Sequence, residues 1–205
     1  MEILDTIRLK SFNAKGSNDF PYQGIELFTG GQGVGKTLNL IMRLREVHKE
    51  YPDAIIVSNI PLFGIPYNLY RGIEDFDKYD NGTKGIIFVL DEIHTLYSSL
   101  KSKDMRDAEL MVWCQNRKNR RLILSTAQRF SRVAKPIREQ CYKHIEVLKP
   151  IFILSRYRVY DGYLYDDDGN YTGVKPTIEF KLYTASAMMS YDTHYVVREE
   201  KDENE

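Results

Sequence analysis

Residues 30–37 read Gly30-Gly31-Gln32-Gly33-Val34-Gly35-Lys36-Thr37, which satisfies the pattern G-x-x-x-x-G-K-[ST] at every fixed position. Each residue type has a chemical reason to be there. Glycines let the backbone take positive φ and close successive N–H groups on a polyphosphate. Lys36 brings a point charge to the β- and γ-phosphates, and the Thr37 hydroxyl can enter the Mg²⁺ shell. Ile25-Glu-Leu-Phe-Thr29 ahead of the loop reads as a strand, and Leu38 to His48 after it has helical periodicity. A helix starting at the end of the loop aims its positive dipole end at the same anion. This context separates residues 30–37 from a ligand-free glycine-rich turn.

About fifty residues on, Ile86-Ile-Phe-Val-Leu90 is an apolar run that ends in Asp91-Glu92. A buried strand that delivers two carboxylates at its C-terminal end puts them where open α/β sheets bind ligands. Asp91 is the expected Mg²⁺ carboxylate. Glu92 is the expected general base on the attacking water. An apolar run ending in acids is a weak signal alone and a strong one at this distance from a phosphate loop. Leu122-Ile-Leu-Ser-Thr-Ala-Gln128 is the third element, with Gln128 placed to touch γ-phosphate or the lytic water. His94 follows closely enough to feel the same pocket, although a helix-start residue is the plainer reading.

From Gln115 to Arg138 there are eight basic residues and no Asp or Glu: Arg117, Lys118, Arg120, Arg121, Arg129, Arg132, Lys135 and Arg138. In a chain with 29 basic and 29 acidic residues, such a run predicts a local positive surface. Its uses are contacts to nucleic-acid phosphates, with Arg129, Arg132 and Lys135 as candidates, or an arginine finger for a neighbouring subunit. A solvated basic loop is the bland alternative.

Strands at residues 3–9, 25–29, 54–58, 86–90 and 121–126 alternate with helices over 38–48 and 103–116, which predicts a parallel sheet covered on both faces. Residues 1–150 form the expected core. Residues 151–197 form an extension of the same domain, read as a long β-hairpin over 151–184 turning at Asp168-Gly169. Residues 198–205 form an acidic tail expected to be disordered. The four histidines and two cysteines show no metal spacing, so Cys114 and Cys141 read as ordinary buried thiols. Trp113 and the tyrosines read as packing. With no signal peptide and no 18-residue apolar stretch, the expectation is a soluble, cytoplasmic chain.

Jointly, the phosphate loop, Val57-Ser-Asn-Ile60, Leu90-Asp-Glu-Ile-His94 and Asn116-Arg117 leading to Ser125-Thr-Ala-Gln128 resemble the FtsK–HerA superfamily of P-loop DNA pumps. The likeness is closest to the zonular occludens toxin family and related viral packaging and filamentous-phage assembly ATPases. Val133-Ala-Lys-Pro-Ile-Arg138 and Ser190-Tyr-Asp-Thr193 add to it. The resemblance implies a RecA-like P-loop ATPase using ATP and Mg²⁺. In it Lys36 and Thr37 bind phosphate and metal, Asp91 supports the metal, and Glu92 is the base. Gln128 becomes the γ-phosphate sensor and Arg117 a finger acting in trans. It further implies a homo-oligomeric ring that moves double- or single-stranded DNA during packaging or assembly. Relatives carry a membrane span after the ATPase domain and none is evident here, so a motor peripheral on a capsid or a membrane-protein partner is expected. The rivals are a morphogenesis or secretion ATPase acting on protein, and a nucleotide-dependent docking module.

Overall fold

Ile86-Ile-Phe-Val-Leu90 and Leu122-Ile-Leu124 have no polar side chain to turn toward water, so as strands they need cover on both faces. The computed structural model, which describes residues 19–97, 113, 119–166 and 169–190, gives them that cover. Strand β1 (Gly24–Thr29) leads into the phosphate loop and helix α1 (Lys36–Glu50). Then come β2 (Ile55–Ser58), β3 (Asn68–Leu69), α2 (Asp75–Lys78), β4 (Ile86–Leu90) and α3 (Ile93–Leu96). Strand β5 (Arg121–Ala127) and α4 (Lys135–Glu139) precede β6 (Cys141–Ile151), β7 (Leu154–Asp161), β8 (Thr177–Leu182) and α5 (Ala185–Met188). Every residue of β4 and β5 is buried.

The strands form one sheet in the order β3-β2-β4-β5-β1-β6-β7-β8, parallel from β3 through β6 and antiparallel from β6 to β8. Strand β5 therefore sits between the phosphate-loop strand and β4, and their C-terminal ends lie side by side. Leu40, Ile41, Leu44 and Val47 recur at helical spacing and seat α1 on one face, with no exposed surface on any of them. Phe76, Phe88 and Trp113 pack on the other face, the first two stacked with centroids 4.1 Å apart. Burial of each large apolar side chain is worth about 1.5–3 kcal/mol. Tyr51-Pro52 ends α1, since proline offers no N–H to continue it.

Charge also ties the layers together. Arg43 of α1 forks onto Glu26 of β1 with bonds of 2.9 and 2.8 Å, and Tyr142 of β6 donates to the same carboxylate. Burial alone would raise the Glu26 pKa, but Arg43, Lys143 and Tyr142 outweigh it and hold the group down to about 2.

The expected C-terminal hairpin is formed by β7 and β8, with Gly169 in their long connection, where its N–H donates to the Asp166 carbonyl. Strand β6 runs through Lys149-Pro150 and pairs Ile151 with Leu154, so a turn at Phe152-Ile153, with Phe152 at φ 54°, extends the hairpin to a β-meander. One expectation needs correction: the basic run does not make one surface. Arg121 is 3% exposed beneath Phe76 and Arg120 pairs with Asp19 at the start of β5. Arg129, Arg132 and Lys135 are exposed beyond its other end, about 23 Å away for seven strand residues. The expected strand at 3–9, helix body at 103–112, Cys114, Arg117, Lys118 and acidic tail lie outside the described residues.

Candidate nucleotide-hydrolysis site

The phosphate loop is bent as its glycines permit. Gly30, Gly33 and Gly35 have φ of 147°, 74° and 90°. A Cβ on Gly30 would lie 2.5 Å from the Val147 carbonyl oxygen of β6, so only glycine lets the loop leave β1 here. Gly35 is the N-cap of α1 and supplies no capping side chain, leaving the helix start open to an anion. Lys36, 7% exposed, donates from Nζ to the Gly31 carbonyl at 3.3 Å.

The carboxylates arrive from the next strand but one. Thr37 Oγ1 donates to Asp91 Oδ1 at 3.0 Å, and Thr126 Oγ1 donates to the same oxygen at 2.7 Å. The Thr126 hydroxyl also accepts from the Glu92 N–H at 2.8 Å. Asn59 closes the group: its Nδ2 donates to the Asp91 carbonyl at 2.9 Å, and its Oδ1 accepts the Asp91 N–H at 2.8 Å. Thr37 of α1 and Thr126 of β5 thus fix the Asp91 carboxylate, and Asn59, just past β2, fixes its backbone. Burial raises the Asp91 pKa, opposed by the bonds from Thr126 and Thr37.

Glu92 turns the chain out of β4 with φ 52° and ψ 45°, a left-handed conformation unusual for a side-chain-bearing residue. Its Oε1 lies 3.7 Å from Lys36 Nζ and its Oε2 lies 3.3 Å from His94 Nδ1. Burial lowers the His94 pKa below its ordinary 6.5, so the ring is neutral near pH 7. Gln128 stands just past β5 and accepts a bond from Arg132 Nη1. The donor set fits a Mg²⁺-bound nucleotide: an uncapped helix start, a buried ammonium, and a hydroxyl and carboxylate already in contact.

The fold thus brings together Lys36, Thr37, Asp91 and Glu92, and it places Gln128 in a cavity with Gly30 and Gly31; all five are expected from sequence. Arg129 and Lys135 stand exposed nearby, the latter 4.0 Å from Glu139, while Arg132 turns to Gln128.

A family model described as zonular occludens toxin (Zot) matches residues 42–193. The chain belongs to the zonular occludens toxin family. The match begins within α1, so residues 30–37 rest on their own motif and geometry. No protein of curated function matches in sequence. The fold is shared with the N-terminal domain of zonular occludens toxin from Neisseria meningitidis, at 14% identity and TM-score 0.63, covering 83% of this chain and 99% of that one. It is shared too with the genome packaging NTPase B204 from Sulfolobus turreted icosahedral virus 2 in complex with ATP-gammaS. That match has 12% identity and TM-score 0.55, covering 82% of this chain and all of that one. The chain therefore has the P-loop NTPase fold.

This Zot-family chain also uses residues that the sequence motifs do not assign. His144 of β6 bonds Thr29 Oγ1 through Nε2 at 2.6 Å and Tyr165 through Nδ1, which links the root of the phosphate loop to the β7–β8 connection. Ser155 of β7 donates to Asn39 of α1 at 2.7 Å, and Asn39 donates to the Gly35 carbonyl at 2.8 Å. A Cβ on Gly35 would lie 2.8 Å from the Tyr183 hydroxyl. The extension therefore braces the phosphate loop. No local motif marks these long-range contacts; Asn59 and Thr126 were visible only within family-like stretches. Among the described residues no helix is long and apolar enough to cross a membrane.

Proposed function

We propose that this chain is a Mg²⁺-dependent ATPase motor that moves DNA during phage genome packaging or virion assembly. The observation that carries the reading is the convergence of Lys36, Thr37, Asp91 and Glu92 at the C-terminal ends of the central strands, with Gln128 lining a cavity beside Gly30 and Gly31. Zot-family membership and the shared fold with a genome packaging NTPase bound to ATP-gammaS support it.

Lys36 and the amides of residues 30–37 neutralise and orient the β- and γ-phosphates. Thr37 and Asp91 hold Mg²⁺, which when bound offsets charge developing on the transferred phosphoryl group. Glu92 accepts the proton of the attacking water. Gln128 orients the water or γ-phosphate. In a ring, Arg117 of a neighbouring subunit completes the site. The protein acts in the host cytoplasm, peripheral on a capsid or membrane complex.

DNA contacts fall to Arg129 and Lys135, exposed past the end of β5. Their joint replacement by alanine should weaken duplex binding equally across sequences, because phosphate contacts carry no base information. The log–log salt slope should shrink by about 0.9 for each DNA phosphate that is no longer neutralised. A salt titration of labelled duplex, with an ATP analogue present, tests this; wild-type protein without salt-sensitive binding ends the DNA assignment. One observation favours a protein load or docking partner: Phe152 is 95% exposed and Ile153 61% at the β6–β7 turn, an apolar tip of the kind that marks protein contacts.

A further inference from the structure

Several cations described near this sheet have a carboxylate. Arg43 meets Glu26, Arg120 meets Asp19, and Arg158 meets Glu146. Arg132 differs. It closes the short turn Phe130–Arg132 directly after β5, its side chain is exposed, and among the described residues it makes no ion pair. Its Nη1 instead donates to Oε1 of Gln128, a neutral amide. Burial chiefly lowers the proton affinity of His94, and the charges of Arg132 and Lys36 add to it. The guanidinium is thus held on Gln128, which lines one cavity with Gly30 and Gly31 of the phosphate loop.

We infer that Arg132 binds the γ-phosphate in cis, and that its bond to Gln128 is a latch which the triphosphate opens. This rests on the nucleotide-site reading above. A guanidinium bonded to a neutral amide keeps most of its capacity for an anion, and a phosphate oxygen is a stronger, charge-assisted acceptor than an amide. When the triphosphate arrives, Arg132 exchanges Gln128 for the γ-phosphate while Lys36 exchanges Glu92 for the β- and γ-phosphates. Each exchange releases a side chain that hydrolysis needs. A diphosphate offers Arg132 no γ-oxygen, so the latch stays shut after turnover. The arrangement gives the site a means of telling ATP from ADP that involves no neighbouring subunit. It also separates Arg132 from Arg129 and Lys135, which keep the DNA role.

The test is equilibrium binding of ATPγS and of ADP, each with Mg²⁺, to wild-type protein, Arg132→Ala and Arg132→Lys, with Lys84→Ala as a control. Lys84 is exposed just before β4, at the N-terminal end of that strand and away from Asp91-Glu92, and pairs with Asp53. Removing one charge-assisted hydrogen bond to phosphate predicts about ten- to a hundred-fold weaker ATPγS binding in Arg132→Ala. ADP binding should stay within about two-fold, and Arg132→Lys should fall between, because a point charge replaces a fork. Lys84→Ala should match wild type for both nucleotides. Equal weakening of both nucleotides by Arg132→Ala, or of neither, overturns the inference while leaving the nucleotide site intact. Wild-type protein that binds neither nucleotide removes the site reading and this inference together.

Discussion

Lys36 and Glu92 are 3.7 Å apart yet have separable tasks. In the proposed mechanism Lys36 contributes charge to the ground state, whereas Glu92 acts only when water attacks. Lys36→Ala should therefore abolish ATP binding, and Glu92→Gln should bind ATP normally and hold it unhydrolysed. Equilibrium binding of labelled nucleotide with single-turnover hydrolysis distinguishes them; near-normal turnover in Glu92→Gln would remove Glu92 as the base. Asn59 acts one step further back, because both of its bonds go to the Asp91 backbone. Asn59→Ala should raise the Mg²⁺ concentration needed for half-maximal activity about ten-fold or more, in the range found for residues that orient metal ligands. An unchanged Mg²⁺ requirement would show that β2 does not position Asp91.

Strand β6 carries an element-scale consequence. Burial drives His144 down to about 4, partly opposed by Glu146, while an exposed histidine titrates near 6.5. Between those values the unfolded chain binds more protons than the folded one, so stability rises with pH. The contribution is full above 6.5 and is lost as pH falls toward 4, amounting to about 3 kcal/mol. His144→Gln removes the titration, so its urea-unfolding free energy should change less than that of wild type between pH 6.5 and 4.5. Parallel slopes would contradict a buried neutral His144. The elements differ in how far sequence exposes them. β1, β4 and β5 were legible because each is an apolar run leading into a chemical signature. β6 was not, since Lys143, His144 and Glu146 interrupt its pattern, and their partners Thr29, Tyr165 and Arg158 are distant or follow a turn. The basic run misled for a related reason: adjacency in sequence says nothing about which end of a strand a side chain occupies.

At the scale of the whole molecule, the sheet order explains why so little of the site comes from any one element. Inserting β5 between β1 and β4 brings Thr126 onto Asp91 beside the phosphate loop, so the site exists only once these three strands have paired. If the ring places Arg117 at a neighbour's nucleotide, mixing Arg117→Ala with Lys36→Ala protein should restore activity above the sum of the two alone. Loss of a finger costs about 10³-fold or more, so partial rescue is measurable. Absence of rescue in rings proven to exchange subunits would take Arg117 out of the interface. If this site hydrolyses ATP to move DNA, steady-state ATPase measured with Mg²⁺, with and without DNA, should show turnover that DNA stimulates and that Lys36→Ala and Glu92→Gln abolish. Turnover indifferent to DNA in the assembled protein, or no turnover at all, would contradict it.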